Sequence, residues 1–147
     1  MKVFLDTNVL ASAVATRGLC ADVLREVFAS HELFISDQVL IELKRALQLK
    51  FRVTQELIDE FIELLERDST RAQSGELPRI ELKDGDDLRI LGAAISAGAD
   101  VLVTGDQELL ELKRVSTLEV LSPRQFWEKL KAQKRRRGGR KGPRRSR

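Results

Sequence analysis

Cysteine and histidine are almost missing from this chain: Cys20 and His31 are its only examples. A lone cysteine excludes an intrachain disulfide and removes the basis for a cysteine-held zinc. His31 falls in a loop before a predicted strand, fits no ligand spacing and reads as a surface residue. No apolar run approaches the roughly 18 residues that a membrane span requires. A strand begins at the first residues, so no signal peptide is expected and the expected location is the cytoplasm. Acid is also missing from one stretch. From Lys134 to Arg147 there are nine Lys and Arg residues and no Asp or Glu. The net charge of +3 therefore hides an acidic remainder, with 17 basic against 23 acidic residues, a net of −6.

The basic stretch has no apolar residue beyond Lys134 and contains Gly138, Gly139, Gly142 and Pro143. It cannot build a core, so 134–147 is expected to be a disordered basic tail on a globular domain of residues 1–133. The tail is either a solubilising extension or a salt-sensitive, sequence-blind attachment to phosphates.

The chain does contain enough for one core. With 147 residues, 42% of them hydrophobic and 33% charged, it has room for a single domain. Val3–Leu5, Leu33–Ser36 and Val101–Val103 are short apolar runs of the kind buried on both faces of a parallel sheet, and Leu118–Leu121 is a weaker one. Ile80 and Leu82 suggest another short strand after a loop over Gly75–Pro78. Helical periodicity places Val23, Leu24, Val27 and Phe28 on one face. A helix capped by Ser36 or Asp37 should run to about Leu49 with Val39, Leu40, Leu43 and Leu47 inward. Another, Gln55–Glu66, carries Leu57, Ile58, Phe61, Ile62 and Leu65. A helix from Asp84 to Ala97 closes on Gly98. Ser122, Pro123 and Gln125 form a capping box for a last helix to about Ala132. This alternation predicts an α/β fold, three layers α/β/α around a central, mainly parallel sheet.

Within that fold four acids occupy related places. Asp6 and Asp106 follow strands, Asp87 opens a helix, and Glu42 lies on or beside the apolar face of the helix after Ser36. Ligands of open α/β sheets bind outside the carboxyl ends of the strands, so the four can converge. Two carboxylates 4 Å apart at an effective dielectric of 20 repel by about 4 kcal/mol. A marginally stable fold meets such a cost by protonation or by a bound cation. Oxygen donors alone select Mg²⁺ or Mn²⁺ over zinc. Taken singly each acid reads more readily as something plainer, Asp6 and Asp87 as caps or turn formers, Asp106 as a Gly-Asp turn and Glu42 as a solvated mid-helix residue; the weight lies in the set. Thr7, Asn8, Ser36 and Thr104 stand beside the acids, where they would bond carboxylates or a phosphate oxygen, or serve as plain caps.

Four ordered motifs together resemble the PIN domain family, over about Met1 to Gln133. They are Val3-Phe4-Leu5-Asp6-Thr7-Asn8, the run Ile35-Ser36 through Glu42-Leu43, Asp86-Asp87-Leu88-Arg89 with Ala97-Gly98-Ala99-Asp100, and Val103-Thr104-Gly105-Asp106 with Glu108. The resemblance implies Asp6, Glu42, Asp87 and Asp106 as catalytic metal-binding residues in a PIN-like, Rossmann-related fold. It is strongest to the toxin components of toxin–antitoxin pairs related to VapC-type ribonucleases. That implies cleavage of single-stranded RNA with Mg²⁺ or Mn²⁺, a homodimer and an antitoxin partner. One departure is Gly92, where members of this subgroup often carry a further acid; weaker metal affinity or an altered metal number is expected.

Two other readings compete. A phosphatase of the haloacid dehalogenase type also ends its first strand on Asp, but its chemistry wants a second Asp two positions on, where Asn8 stands. A non-catalytic RNA-binding or ribosome-associated module would rely on the basic tail, and the complete acid set argues against it.

Overall fold

The computed structural model describes residues 1–73 and 75–145, with side chains described up to Arg137. Strand β1 (Lys2–Leu5) leads through α1 (Thr7–Ala15) and α2 (Leu19–Ser30) to β2 (Glu32–Ser36). Helix α3 (Asp37–Arg45) passes directly into a π-helical turn, Ala46–Lys50. After it come α4 (Gln55–Asp68), β3 (Thr70–Ala72), α5 (Gly85–Ser96) and β4 (Val101–Val103). The chain ends with α6 (Gln107–Leu110), β5 (Arg114–Val115), β6 (Leu118–Leu121) and α7 (Pro123–Arg145).

The six strands form one sheet in the order β3-β2-β1-β4-β6-β5, parallel except for β5. The expected α/β class with a mainly parallel sheet between helices is the one observed. Val3 pairs with Leu33 on one side and Val101 on the other, so the three strongest apolar runs are the three central strands. Their side chains are fully or almost fully buried, as a strand covered on both faces requires. The chain moves outward from β1 to β2 and β3, then returns across β1 to β4. Right-handed crossovers in opposite directions place α1–α3 and α5 on opposite faces, and leave a crevice beyond the ends of β1 and β4. Helix α7 packs back on α2 and β6.

Several local expectations hold for the reasons given. The Ser36 hydroxyl accepts from Val39 N at 3.2 Å and caps α3. Ser122 and Gln125 exchange reciprocal bonds at 2.9 and 3.1 Å. Gly98 takes φ +70°, the left-handed region in which a Cβ is strained.

Other expectations do not hold. Ile80 and Leu82 form no strand; they pack on the core from a loop. The edge strand is instead Thr70–Ala72, in which only Ala72 is buried, so no apolar alternation announces it. Leu57 faces solvent, 52% exposed, while Ile58, Ile62 and Leu65 form the buried stripe of α4. The helix expected to reach Leu49 changes to π geometry at Ala46. Helix α7 does not stop near Ala132; its bounds are Pro123–Arg145. Gln133 and Lys134 to Arg137 are good helix formers, and extending a helix costs far less than starting one. Residues 146–147 of the tail lie outside the described residues. No helix among the described residues is long and apolar enough to cross a membrane.

Candidate metal centre

The crevice between β1 and β4 is held together by an acid. The Asp6 backbone nitrogen donates to Val103 O at 2.9 Å, extending the β1–β4 ladder by one residue. Its side chain turns into the crevice, where one carboxylate oxygen accepts from Thr7 N and the other from the Thr104 hydroxyl, both at 2.7 Å. Asp6, Thr7, Ser36 and Thr104 are the buried polar residues of the described chain. Thr104 is wholly enclosed, and its hydroxyl oxygen also accepts from Asp106 N at 3.0 Å. One threonine thus fixes two acids. Asp106 in turn caps α6, accepting from Leu109 N at 3.0 Å.

Glu42 reaches the crevice from α3. Its oxygens accept from the Thr7 hydroxyl at 3.1 Å and from Gln38 Nε2 at 2.9 Å. Gln38 Nε2 also donates to Asp86 O at 3.3 Å, which ties α3 to the first turn of α5. Asp84 caps α5 by accepting from Asp86 N at 2.9 Å. Asp87 follows in that first turn. Asp6, Glu42, Asp87 and Asp106 line one cleft of about 520 Å³, together with Thr7 and Asn8. The four acids named from the sequence are brought together.

Two further features depart from the sequence reading. Among the described residues, Asp87, Asp106 and Glu108 bring one carboxylate oxygen each within 4.8 Å of the others. Glu108 was missed as a donor. Its signal was its place two residues after Asp106, in the first turn of the same short helix. Its carboxylate also accepts from Lys83 N at 3.2 Å, so it closes the cluster from the outer side. Ser36 does not reach the cleft. It caps α3 and lines a separate cavity with Arg71 and Gly75.

Burial and mutual repulsion act on these groups. Burial pushes the Asp6 carboxyl up; the bonds from Thr104 and Thr7 N oppose this, and Glu42 and Asp106 add to it. Asp87 is pushed up to about 7, first by burial and then by Asp106, Asp84, Asp6 and Glu108. An arrangement that leaves a carboxyl half-protonated near neutrality has an unmet demand for positive charge. No His or Cys lines the cleft, so the donors are oxygens, which fit a hard divalent cation. Asp87, Asp106 and Glu108 would hold it, with Asp6 beside them.

Gly92 has a structural explanation. A Cβ there would lie 3.1 Å from Glu76 O and 3.5 Å from the Pro78 ring, because the loop before α5 crosses directly over it. The position is buried and lines no part of the cleft. A further acid there would require the loop at Glu76 and Pro78 to shift.

A family model described as PIN domain matches residues 2–108. Two solved structures share the fold. A chain of VapBC2 from Rickettsia felis, bound to a DNA fragment from its promoter, aligns at 18% identity over 82% of this chain and 97% of that one, with a TM-score of 0.57. A chain of VapBC-1 from nontypeable Haemophilus influenzae aligns at 21% identity over 84% of this chain and 98% of that one, with a TM-score of 0.59. No curated protein matches in sequence.

Proposed function

Because the chain belongs to the PIN domain family, we propose that it is a metal-dependent endoribonuclease, hydrolysing single-stranded RNA with Mg²⁺ or Mn²⁺, and that Asp6, Glu42, Asp87 and Asp106 carry the reaction with Glu108. The observation that carries this reading is the convergence of Asp6, Glu42, Asp87 and Asp106 at the β1–β4 crevice, with an oxygen of Glu108 within 4.8 Å of oxygens of Asp87 and Asp106.

A bound divalent cation supplies a water of lowered pKa and positive charge for the oxyanion of an in-line displacement. The rest follows from the side chains. Asp6 is immobilised by Thr7 N and Thr104, so its unused lone pairs have a fixed direction into the cleft. Thr104, through Asp6 and Asp106 N, sets the spacing of the two acids that end β1 and β4. Glu42 has one donor on each oxygen and keeps a lone pair on each to orient a water and take its proton. Asp87, protonated about half the time near pH 7, would release a proton when the cation binds. Water adds to phosphorus and gives a proton to Glu42, the bond to the 3′ oxygen breaks, and that oxygen takes a proton from solvent, so the products end in a 5′-phosphate and a 3′-hydroxyl.

The proposal extends to a cytoplasmic toxin of a type II toxin–antitoxin pair, acting as a homodimer and silenced by an antitoxin protein. The VapBC neighbours support that extension through fold alone. The test of the chemistry is incubation with 5′-labelled single-stranded RNA in Mn²⁺ and then in chelator. Cleavage that needs the metal and disappears in Asp106→Asn is the expected result; metal-independent cleavage, or none, ends the nuclease reading.

A further inference from the structure

The cleft that holds the acids also has a basic and apolar stretch. It is formed by Arg45, Ala46, Leu49 and Lys50, at the junction of α3 and the π-helical turn. Arg45 and Lys50 are exposed, and neither forms an ion pair among the described residues. The Lys50 ammonium instead lies 5.6 Å from the centre of the Phe51 ring. Two cations thus line the same cleft as the carboxylates without neutralising them.

Backbone geometry brings the pair to one side. On a regular α-helix of 3.6 residues per turn, positions five apart differ by about 140° and face different directions. Here Phe51 N bonds Ala46 O at 3.1 Å, the five-residue spacing of a π turn, which winds less per residue and brings Arg45 and Lys50 to the same cleft. Leu47, fully buried, anchors the turn. Leu49 is 69% exposed, the most exposed of the large apolar residues, and it lies between the two cations in sequence.

We propose that the π-helical turn is a clamp for a single-stranded polynucleotide, with Arg45 and Lys50 binding phosphates beside the scissile one and Leu49 packing against an unstacked base. This rests on the nuclease reading above. A phosphate chain suits both sets of charges: it meets Arg45 and Lys50 directly and meets the carboxylates through a cation. Single strands expose their base faces to an apolar side chain, whereas a duplex hides them.

The test measures kcat and KM for a labelled single-stranded oligoribonucleotide in Mn²⁺, over a range of salt, with wild type and the double variant Arg45→Ala/Lys50→Ala. KM should rise by about an order of magnitude with kcat within about twofold, since the lost contacts hold substrate and transition state alike. The slope of log(kcat/KM) against log salt should become shallower by about 1.4, at about 0.7 for each phosphate contact of a single strand. Arg45→Lys/Lys50→Arg, which keeps both charges, should stay close to wild type, and the Mn²⁺ dependence should not move. Unchanged KM and slope, or a fall in kcat alone, overturns the clamp. Binding of the same RNA is read in parallel by fluorescence anisotropy in the non-cleaving Asp106→Asn background. If wild type cuts no RNA the nuclease reading fails by itself. The clamp is still decided by anisotropy: weaker binding on loss of the two cations supports it, and equal binding overturns it in favour of a protein ligand for this face.

Discussion

Replacing Asp87 by Asn should make the metal-free protein more stable, and only above a defined pH. The Asp87 carboxyl rises from an ordinary 3.8 to about 7 in the fold, through burial and then through Asp106, Asp84, Asp6 and Glu108. Between those two values the folded chain holds a proton that the unfolded chain has lost, so stability falls as pH rises from about 4 to about 7. Below that window the cost is absent; above it the cost is constant. A rise from 3.8 to about 7 corresponds to at most about 4 kcal/mol. Asp87 is partly open to solvent, and screening reduces this to about 1–2 kcal/mol. For a domain of this size that is a rise of about 3–6 °C in Tm. The assay is thermal unfolding in chelator at pH 8 and pH 4, for wild type and Asp87→Asn. A gain at pH 8 that vanishes at pH 4 is expected. Excess Mg²⁺ should reverse the order at pH 8, because only the wild type keeps the full site whose occupancy adds stability. Equal gaps at both pH values, or a variant less stable in chelator at pH 8, would refute the reasoning.

Thr104→Val keeps the shape but removes the donor to Asp6 and the acceptor for Asp106 N; a loss of about 1–3 kcal/mol in urea unfolding and a fall in kcat are expected. Gly92→Asp should lose about 1–3 kcal/mol by forcing the loop at Glu76 and Pro78 away, without tightening Mn²⁺ binding as measured by calorimetry. Truncation after Gln133 should leave cleavage of short RNA intact while flattening the salt dependence for long RNA, by no more than about 6 units at about 0.7 for each of the nine charges.

The central part of the fold was legible because its signals are local and strong. Val3–Leu5, Leu33–Ser36 and Val101–Val103 can only be buried strands, and each ends where a polar residue must leave the core. Asp6, Asp87 and Asp106 were therefore found from the strand and helix ends that carry them. Ser36 reads the same way in sequence, yet its hydroxyl is used by Val39 N and its place in the fold is at a different cavity. Glu108 was missed because a short helix of four residues has too little periodicity to show which side chain turns inward. The π turn was invisible because its apolar pattern, Leu43 to Leu47, is also that of an α-helix; only the bond from Phe51 N to Ala46 O distinguishes them. Edge strand β3 was missed for want of buried side chains, and the continuation of α7 past Ala132 because the run Lys134 to Arg137 has no apolar face to mark it.

The most direct measurement is anomalous diffraction from crystals soaked in Mn²⁺. One peak among the carboxylates of Asp87, Asp106 and Glu108, on the side facing Asp6, is the result this account requires. A crystal with no manganese there, while the four elements around the crevice stay in place, would contradict it.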